Sequence, residues 1–208
     1  MNQQSNATKG LMIVISGPAG SGKGTVVNTL VKNHPEIFLS VSATTRNPRP
    51  GEVHGVHYYY ISKEEFEKRI ENGQMLEYTT YSGNYYGTPL KEIEEAMEMG
   101  KDIILEIEVD GGMQVKGKLP DSAVTVMLTP PNKEVLEARL RGRGTETEDV
   151  IKWRLERAKE EILLLPKYDY SVVNEDGKSE ECAELLYKII QSEHQSTKYT
   201  KTIIEKFI

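Results

Sequence analysis

The sequence predicts an α/β fold of three layers, in which helices cover both faces of a central parallel sheet and a small mixed α+β segment is inserted. The uninterrupted apolar run at 11–15 is typical of a buried parallel strand, and 103–109 and 123–129 are further strand segments. Segments with helical spacing alternate with such runs along most of the chain. Between residues 44 and 88 the pattern changes to short β-prone runs rich in tyrosine, proline and glycine, which predicts the insertion.

The first part of the chain reads as strand, loop and helix. A strand is expected at 11–15, and apolar residues from Val26 to Val31 at helical spacing predict the helix that follows a glycine-rich turn. A second strand is expected within 38–42. Residues 1–9 are polar and are interpreted as a flexible tail.

The inserted segment is predicted to hold short strands beside a single helix. That helix is expected over 63–72, because Ser62 and Glu65 form a capping box and Gly73 supplies a stop. The β-prone runs are 57–61, 75–81 and 84–86.

After the insertion the alternating pattern returns, so residues 10–43 and 89–208 are assigned to one core. A helix is expected over 89–99, with Thr88 as its N-cap and Pro89 in its first turn. The remaining predictions are strands at 103–109, 123–129 and 170–174, and helices at 132–141, 150–165 and 179–194.

Composition and charge argue against several classes of protein. The 208 residues, 38% hydrophobic and 28% charged, are ordinary for a globular domain with a real core. A net charge of −6 disfavours nonspecific nucleic-acid binding. Cys182 is the single cysteine, so no intramolecular disulfide can form. No run is apolar for long enough to cross a membrane, and the N-terminus lacks the apolar run of a signal peptide. We expect a cytoplasmic protein without an obligatory protein partner.

The strongest motif follows the first predicted strand and is typical of a phosphate-binding loop, or P-loop. Its glycines let backbone N–H groups surround phosphate oxygens, and the helix that begins there adds the positive end of its dipole. The lysine brings a cation to the β- and γ-phosphates. We therefore predict a P-loop NTPase fold, with ATP bound by Gly17, Pro18, Ala19, Gly20, Ser21, Gly22, Lys23, Gly24 and Thr25. The alternative is a glycine-rich turn with a surface lysine.

This loop departs from the usual pattern directly after its lysine. Gly24 stands where serine or threonine commonly contacts Mg²⁺, and Thr25 comes one residue later. The Gly-Lys-Gly-Thr version resembles that of nucleoside-monophosphate kinases, in which the nucleotide phosphates and water hold much of the metal. Direct ligation of Mg²⁺ by Thr25 is left open.

A second motif is a turn that carries two arginines, Arg46 and Arg49, and that neighbouring prolines stiffen. Two guanidinium groups held in this way can chelate one phosphate group. Tyr58 and Tyr86 can each add a hydroxyl donor. Taken alone, the same pattern also fits a solvated basic turn.

Residues 40–89 resemble the guanylate kinase family. The matching motifs are Ser-x-Ser-x-Thr-Thr-Arg-x-Pro-Arg-x-Gly-Glu from Ser40, Leu-Glu at 76–77 and Ser-Gly-Asn-Tyr-Tyr-Gly-Thr at 82–88. Gly-Arg-Gly-Thr at 142–145 and Val-Val-Asn at 172–174 match as well, so the resemblance extends from residue 11 to residue 190. It implies ATP-dependent phosphorylation of GMP, and of dGMP, by direct in-line transfer, with the insertion as the GMP-binding subdomain.

The resemblance also implies roles for individual residues on the acceptor side. The GMP phosphate would be held by Arg46, Arg49, Tyr58 and Tyr86. Guanine would be read by Ser42, Glu77 and Thr88, with help from Glu108. The chemistry agrees for Glu77, because a carboxylate can accept from both N1–H and the 2-amino group of guanine, whereas adenine would leave it unpaired. Without the resemblance, these positions would be interpreted as strand ends, caps, core aromatics and solvated acids.

On the donor side, the resemblance implies a helical lid over about 142–157. Arg139, Arg143 and Arg154 would close over the ATP phosphates and, with Lys23 and Arg46, stabilise the charge that spreads over the transferred group. Asn174 matches a family position near adenine. The alternatives are a helix laced with Glu–Arg pairs and, for Asn174, a plain turn.

Two acids end the strand predicted at 103–109. Alternation places Glu106 and Glu108 on one face, at the strand end where α/β proteins bind ligands. Glu106 is the candidate to hold Mg²⁺ through water and Glu108 to face guanine, although the sequence does not separate the two tasks. Asp110 to Gly112 is interpreted as the turn into the next helix.

Two other functions remain open at this point. One is a P-loop kinase for a different small acceptor, which the pattern of Glu77 and Ser42 disfavours. The other is a noncatalytic guanylate-kinase-like module that binds phosphopeptides, which the intact loop around Lys23 disfavours.

Overall fold

The computed structural model describes residues 10–81, 83–142, 144 and 146–197. In chain order, the strands are β1 Met12–Ser16, β2 Phe38–Leu39, β3 Ala43–Thr44, β4 Tyr59–Tyr60, β5 Met75–Tyr81, β6 Asn84–Pro89, β7 Ile103–Glu106, β8 Ala123–Thr129 and β9 Tyr170–Val173. The helices are α1 Lys23–Asn33, α2 Lys63–Glu71, α3 Leu90–Glu98, α4 Val109–Lys118, α5 Lys133–Gly142, α6 Glu148–Ile162 and α7 Ser179–Glu193.

The larger sheet is parallel and has the strand order β2-β7-β1-β8-β9. Every residue of β1 is buried, which explains its apolar run. Ile13 and Ile15 pack with residues of α1 and α7 on one face. Met12 and Val14 pack with residues of α3 and α4 on the other. The predicted three-layer fold around a parallel sheet is therefore confirmed.

The smaller sheet is mixed and has the order β4-β3-β6-β5. Its core is small: Phe66 of α2 packs against Ala43 and Met75, and its ring stacks on Tyr85 with centroids 5.1 Å apart. Ser62 caps α2 as predicted, accepting the N–H of Glu65 at 3.1 Å. The smaller sheet carries Glu77, Tyr86 and Thr88, whereas the phosphate loop follows β1 of the larger sheet.

Helix α3 starts later than predicted. Thr88 belongs to β6, and Pro89 occupies the N-cap position without a side-chain cap. The Thr88 hydroxyl instead donates to Glu77 of the neighbouring strand, at 2.6 Å. The prediction that Thr88 caps the helix is therefore wrong, because a buried cross-strand partner takes its hydroxyl.

Strand β7 ends earlier than predicted, at Glu106. Glu108 occupies the N-cap position of α4, so it does not continue the alternation with Glu106. Gly111 and Gly112 lie inside the helix and not in a turn before it. The apolar residues Ile107 and Val109 are buried and made the strand look longer than it is.

Helices α5 and α6 pack on each other through Leu136, Leu140, Ile151 and Leu155. Asn132 caps α5, since its side-chain oxygen accepts the N–H of Val135 at 2.9 Å. Arg143 lies outside the described residues. Within the described part of the chain, no helix is both long and apolar enough to cross a membrane.

Candidate active site

The phosphate loop leaves β1 and enters α1 at Lys23. Gly20 and Gly22 have φ angles of 95° and 89°, which L side chains rarely adopt. A Cβ at Gly22 would also lie 2.3 Å from Nδ2 of Asn174. Close approach of the backbone and positive φ together explain why this loop needs glycine.

Lys23 is 8% exposed and folds back over the loop. Its Nζ donates to the carbonyl of Gly17 at 2.5 Å and lies 3.4 Å from Oε1 of Glu108. Glu108 therefore faces the phosphate-loop lysine, and its side chain is 60% exposed. The lysine ammonium and the N-terminus of α1 together favour an anion at this place, such as the oxygens of a phosphate group.

A cleft of about 290 Å³ lies beside the loop. Asn174 forms part of its wall, is buried, and donates from Nδ2 to the carbonyl of Ser21 at 2.8 Å. Among the described residues its Oδ1 has no hydrogen-bond partner. The cleft is lined by Gly20, Gly22, Thr25, Arg139, Asn174, Glu175, Asp176, Gly177 and Ser179.

Arg139 joins three parts of this cleft. Its guanidinium donates to the carbonyl of Asn174 at 2.8 Å and to that of Ser21 at 3.3 Å. It also pairs with Oδ1 of Asp176 at 2.5 Å. Arg139 therefore ties the phosphate loop to the loop that follows β9.

The arginine turn is organised by a residue that the sequence interpretation did not assign, Glu52. The carboxylate of Glu52 accepts two bonds from the Arg46 fork, at 2.8 and 3.0 Å. It also accepts the backbone N–H of Arg49 at 2.7 Å and the hydroxyl of Tyr60 at 2.8 Å. These donors lower the pKa of Glu52 to about 2. Glu52 could have been identified from the sequence, because it is the acidic residue that ends the Arg-Pro-Gly-Glu run at 49–52.

Aromatic rings surround Arg46. Its guanidinium carbon lies 5.6 Å from the centre of the Tyr58 ring and 5.8 Å from that of Tyr60. Tyr58 and Tyr86 meet edge to face with centroids 6.0 Å apart. Burial raises the pKa of Tyr58, and the charge of Glu106 adds to that shift. The side chain of Arg49 is exposed.

Glu77 is 3% exposed and lies opposite Thr88 in the register of β5 and β6. Its Oε1 accepts the Thr88 hydroxyl at 2.6 Å. Burial raises the pKa of the Glu77 carboxyl, and the Thr88 hydroxyl and the charge of Lys118 oppose that shift. A buried carboxylate with so few partners is costly unless a ligand supplies donors.

The first turn of α4 lies against both sheets. A Cβ at Gly111 would stand 2.6 Å from Oε2 of Glu77, and one at Gly112 would stand 2.6 Å from Oγ of Ser16 at the end of β1. Two consecutive glycines thus let one helix approach the Glu77 pocket and the phosphate-loop strand at once.

Two further residues that the sequence predicts for the site are Ser42 and Glu106. Ser42 is half-buried directly before β3, and its carbonyl accepts the N–H of Tyr59 at 2.9 Å. Glu106 is half-buried at the end of β7. Burial raises the pKa of Glu106, while the charge of Lys23 opposes that shift. A Cβ at Gly24 would lie 3.4 Å from Oε1 of Glu106, so this carboxylate faces the position at which serine or threonine is usual.

The predicted lid holds one described arginine with an expected role, Arg154, and a second, Arg157, for which no role was predicted. Arg154 pairs with Glu146 at 2.9 Å. Arg157 pairs with Asp110 at the start of α4 as well as with Glu160 and Glu161 of its own helix. The Glu–Arg pairing along α6 therefore exists, and Arg157 also ties that helix to α4.

Comparison with known proteins decides the family. The sequence model of the family described as guanylate kinase matches residues 9–193. The chain belongs to the guanylate kinase family. It is 52% identical to the guanylate kinase of Lactococcus lactis subsp. lactis (strain IL1403) over 200 residues, which cover 96% of this chain and 95% of the relative. It is 54% identical over 187 residues to that of Streptococcus pyogenes serotype M3 (strain ATCC BAA-595 / MGAS315), covering 89% and 87%.

Solved structures agree with the family assignment. The crystal structure of guanylate kinase from Anaplasma phagocytophilum superposes with a TM-score of 0.74 at 33% sequence identity, covering 92% of this chain and 90% of that one. The guanylate kinase family thus has the same fold as the chain described above.

Proposed function

We propose that this protein transfers the γ-phosphoryl group of ATP to GMP, and to dGMP, giving ADP and GDP. The observation that carries the proposal is the buried Glu77 carboxylate, which holds the Thr88 hydroxyl and has acceptor capacity left for a ligand. Guanine presents two adjacent donors, N1–H and the 2-amino group, which match such an acceptor. Adenine presents an acceptor at N1 and would leave the carboxylate unpaired, at a cost of about 1–3 kcal/mol or more.

The arginine turn supplies the phosphate end of the same acceptor site. Arg46 is already held in a fixed direction by Glu52, between the rings of Tyr58 and Tyr60. We assign the GMP phosphate to Arg46 and Arg49, with the hydroxyls of Tyr58 and Tyr86 as further donors. We also assign Ser42 to the guanine side. The smaller sheet with α2, residues 44–88, is in this proposal the GMP-binding subdomain.

The phosphate loop and its cleft supply the donor site. Residues 17–25 surround the ATP phosphates with backbone N–H groups, and Asn174 lines the place for adenine. Arg139 lines the same cleft, and we assign it to the ATP phosphates. Among the described residues no group bonds Oδ1 of Asn174, and this acceptor fits the 6-amino group of adenine, which is a donor. Arg154, together with Arg143, is proposed to close over the phosphates from the lid at 142–157.

We place a magnesium ion beside these residues in the proposal. The half-buried carboxylate of Glu106 faces Gly24 and Lys23, and oxygen donors of this kind suit Mg²⁺. We propose that Glu106 holds the ion through water. When bound, Mg²⁺ would neutralise charge on the ATP phosphates.

The proposed transfer needs no nucleophile from the protein. An oxygen of the GMP phosphate forms the new bond to the γ-phosphorus as the bond to the β,γ-bridging oxygen breaks and ADP leaves. Lys23 releases the carbonyl of Gly17 and follows the charge on the β- and γ-phosphates, while Arg46 neutralises the attacking phosphate. Positioning and electrostatic stabilisation account for most catalysis of this kind.

An assay of ADP release with a panel of monophosphates tests the proposal. GMP and dGMP should be turned over and AMP and UMP should be at least about 10⁴-fold poorer, as expected for a site that pairs substrate donors. Equal turnover of AMP or UMP would favour a kinase of a different acceptor. Binding of GMP without any ATP turnover would favour a noncatalytic module. The cytoplasmic location remains a prediction from sequence.

A further inference from the structure

We propose that Lys118 and Gln114 of α4 are positioning residues for guanine recognition, because they fix the backbone on both sides of Glu77. This inference rests on the proposed function, since it takes Glu77 as the group that reads the base. Both side chains bond the backbone of β5, so both would act on the base through Glu77.

Strand β5, which carries Glu77, lies at the edge of the smaller sheet. An edge strand leaves a row of backbone groups without a partner strand. In this protein α4 supplies those partners with side chains. Gln114 donates from Nε2 to the carbonyl of Tyr78 at 2.8 Å, and its Oε1 accepts the N–H of Tyr78 at 3.2 Å. Lys118 donates from Nζ to the carbonyl of Leu76 at 2.6 Å.

The two side chains come from one face of the helix. Gln114 and Lys118 are four residues apart, and Gly111, which approaches Glu77 itself, is three residues before Gln114. Leu76 and Tyr78 are the immediate neighbours of Glu77. One stripe of α4 therefore contacts three successive residues of the strand that reads guanine.

The contact at Leu76 has a further consequence, because the ladder between β5 and β6 is irregular at this point. Met75 lies opposite Pro89 and Glu77 lies opposite Thr88, so Leu76 is an extra residue on its strand. A bulge of this kind redirects the side chain beside it. By holding the carbonyl of the extra residue, Lys118 fixes the bulge and thereby the direction of the Glu77 carboxylate.

Lys118 also acts on Glu77 through its charge. The groups that face this carboxylate are the Thr88 hydroxyl from β6 and, from α4, the Lys118 ammonium and the backbone at Gly111. The ammonium lowers the pKa of Glu77 against the effect of burial. Loss of the ammonium would raise that pKa further, and a protonated Glu77 cannot accept both donors of guanine.

Steady-state kinetics of Lys118→Met, Lys118→Gln, Lys118→Arg and Gln114→Leu, in the full chain, test the inference. Lys118→Met should raise KM for GMP by about tenfold, because small misplacements of positioning groups are costly. KM for ATP should stay within twofold. The acid limb of kcat/KM for GMP should move to higher pH, since Glu77 then ionises at higher pH.

The other variants separate the two effects. Lys118→Arg keeps the charge and should restore the wild-type acid limb. Lys118→Gln keeps a donor without the charge, so its acid limb should move as in Lys118→Met even if the latter folds poorly. Gln114→Leu should raise KM for GMP without moving the limb. Lys101→Met, at an exposed lysine outside this interface, is the matched control and should change neither quantity.

Three results would overturn the inference. They are an unchanged KM for GMP in Lys118→Met, an unchanged acid limb in Lys118→Gln, and equal losses for GMP and ATP, which indicate a structural role alone. The titration of the GMP phosphate is common to all variants and cancels in the comparison. A wild-type protein that turns over another acceptor in place of GMP would instead defeat the proposed function.

Discussion

Replacing Gly111 by alanine should weaken GMP binding without unfolding the protein. The added methyl group would lie 2.6 Å from Oε2 of Glu77, whereas ordinary contact begins at 3.4 Å, so the carboxylate has to retreat by about 0.8 Å. Hydrogen bonds to guanine near 2.9 Å would then exceed 3.5 Å and be lost. Losing even one bond to a charged acceptor costs about 1.5–3 kcal/mol, so KM for GMP should rise by about tenfold or more.

Gly117→Ala in the same helix is the matched control for this prediction. A Cβ at Gly117 meets nothing within 4 Å, and both glycines lie inside α4. Alanine is favoured over glycine in a helix by about 0.8–1.0 kcal/mol, so this variant should be at least as stable as wild type. Its KM for GMP should stay within twofold. Thermal unfolding and kinetics with GMP varied would measure both variants. Equal KM values for the two alanine variants would refute the close approach of Gly111 to Glu77.

Three other substitutions test separate parts of the site. Glu77→Gln should weaken GMP by about 2 kcal/mol or more in titration calorimetry. Because burial raises the folded-state pKa of this carboxyl, the unligated wild type loses stability as pH rises from the ordinary carboxyl value through the raised one. The melting temperature of Glu77→Gln should therefore be higher than that of the wild type at pH 8 and equal to it at pH 4. A lower melting temperature of the variant at pH 8 would contradict this. Lys23→Ala should lower kcat by about 10²-fold or more while GMP binding persists, and retained turnover would argue against its role. Glu52→Gln should raise KM for GMP several-fold and leave KM for ATP alone, because Arg46 loses its support; a lower KM for GMP would make Glu52 a competitor of the phosphate instead.

Features that depend on local pattern were predictable from the sequence. The strand predicted at 123–129 agrees with β8 at both ends, because a mostly apolar, β-branched segment can be recognised without its partners. The capping box at Ser62 fixed the start of α2 for the same reason. The phosphate loop could be placed because its glycines and lysine are adjacent in sequence between a strand and a helix.

Features that depend on a distant partner were not predictable. Thr88 has the sequence of a helix cap, but Glu77, eleven residues away, takes its hydroxyl. Glu108 follows a period of two with Glu106, yet the chain turns into α4 before that period is completed. Pairing of Arg157 with Asp110 joins residues that are 47 positions apart. A single sequence contains no signal for contacts of this length.

The attachment of β5 to α4 has a consequence for how the smaller sheet can move. Because β5 is hydrogen-bonded to α4, the smaller sheet can rotate as a rigid body only about the edge that β5 forms. This edge holds Glu77, so the rotation would leave the base-reading end almost still. The turn with Arg46 follows β3, which is two strands away from β5 in the sheet, so this turn would move more than Glu77. A nucleotide that enters the site would thus find Glu77, which reads its base, almost stationary, while the arginine turn that binds its phosphate moves.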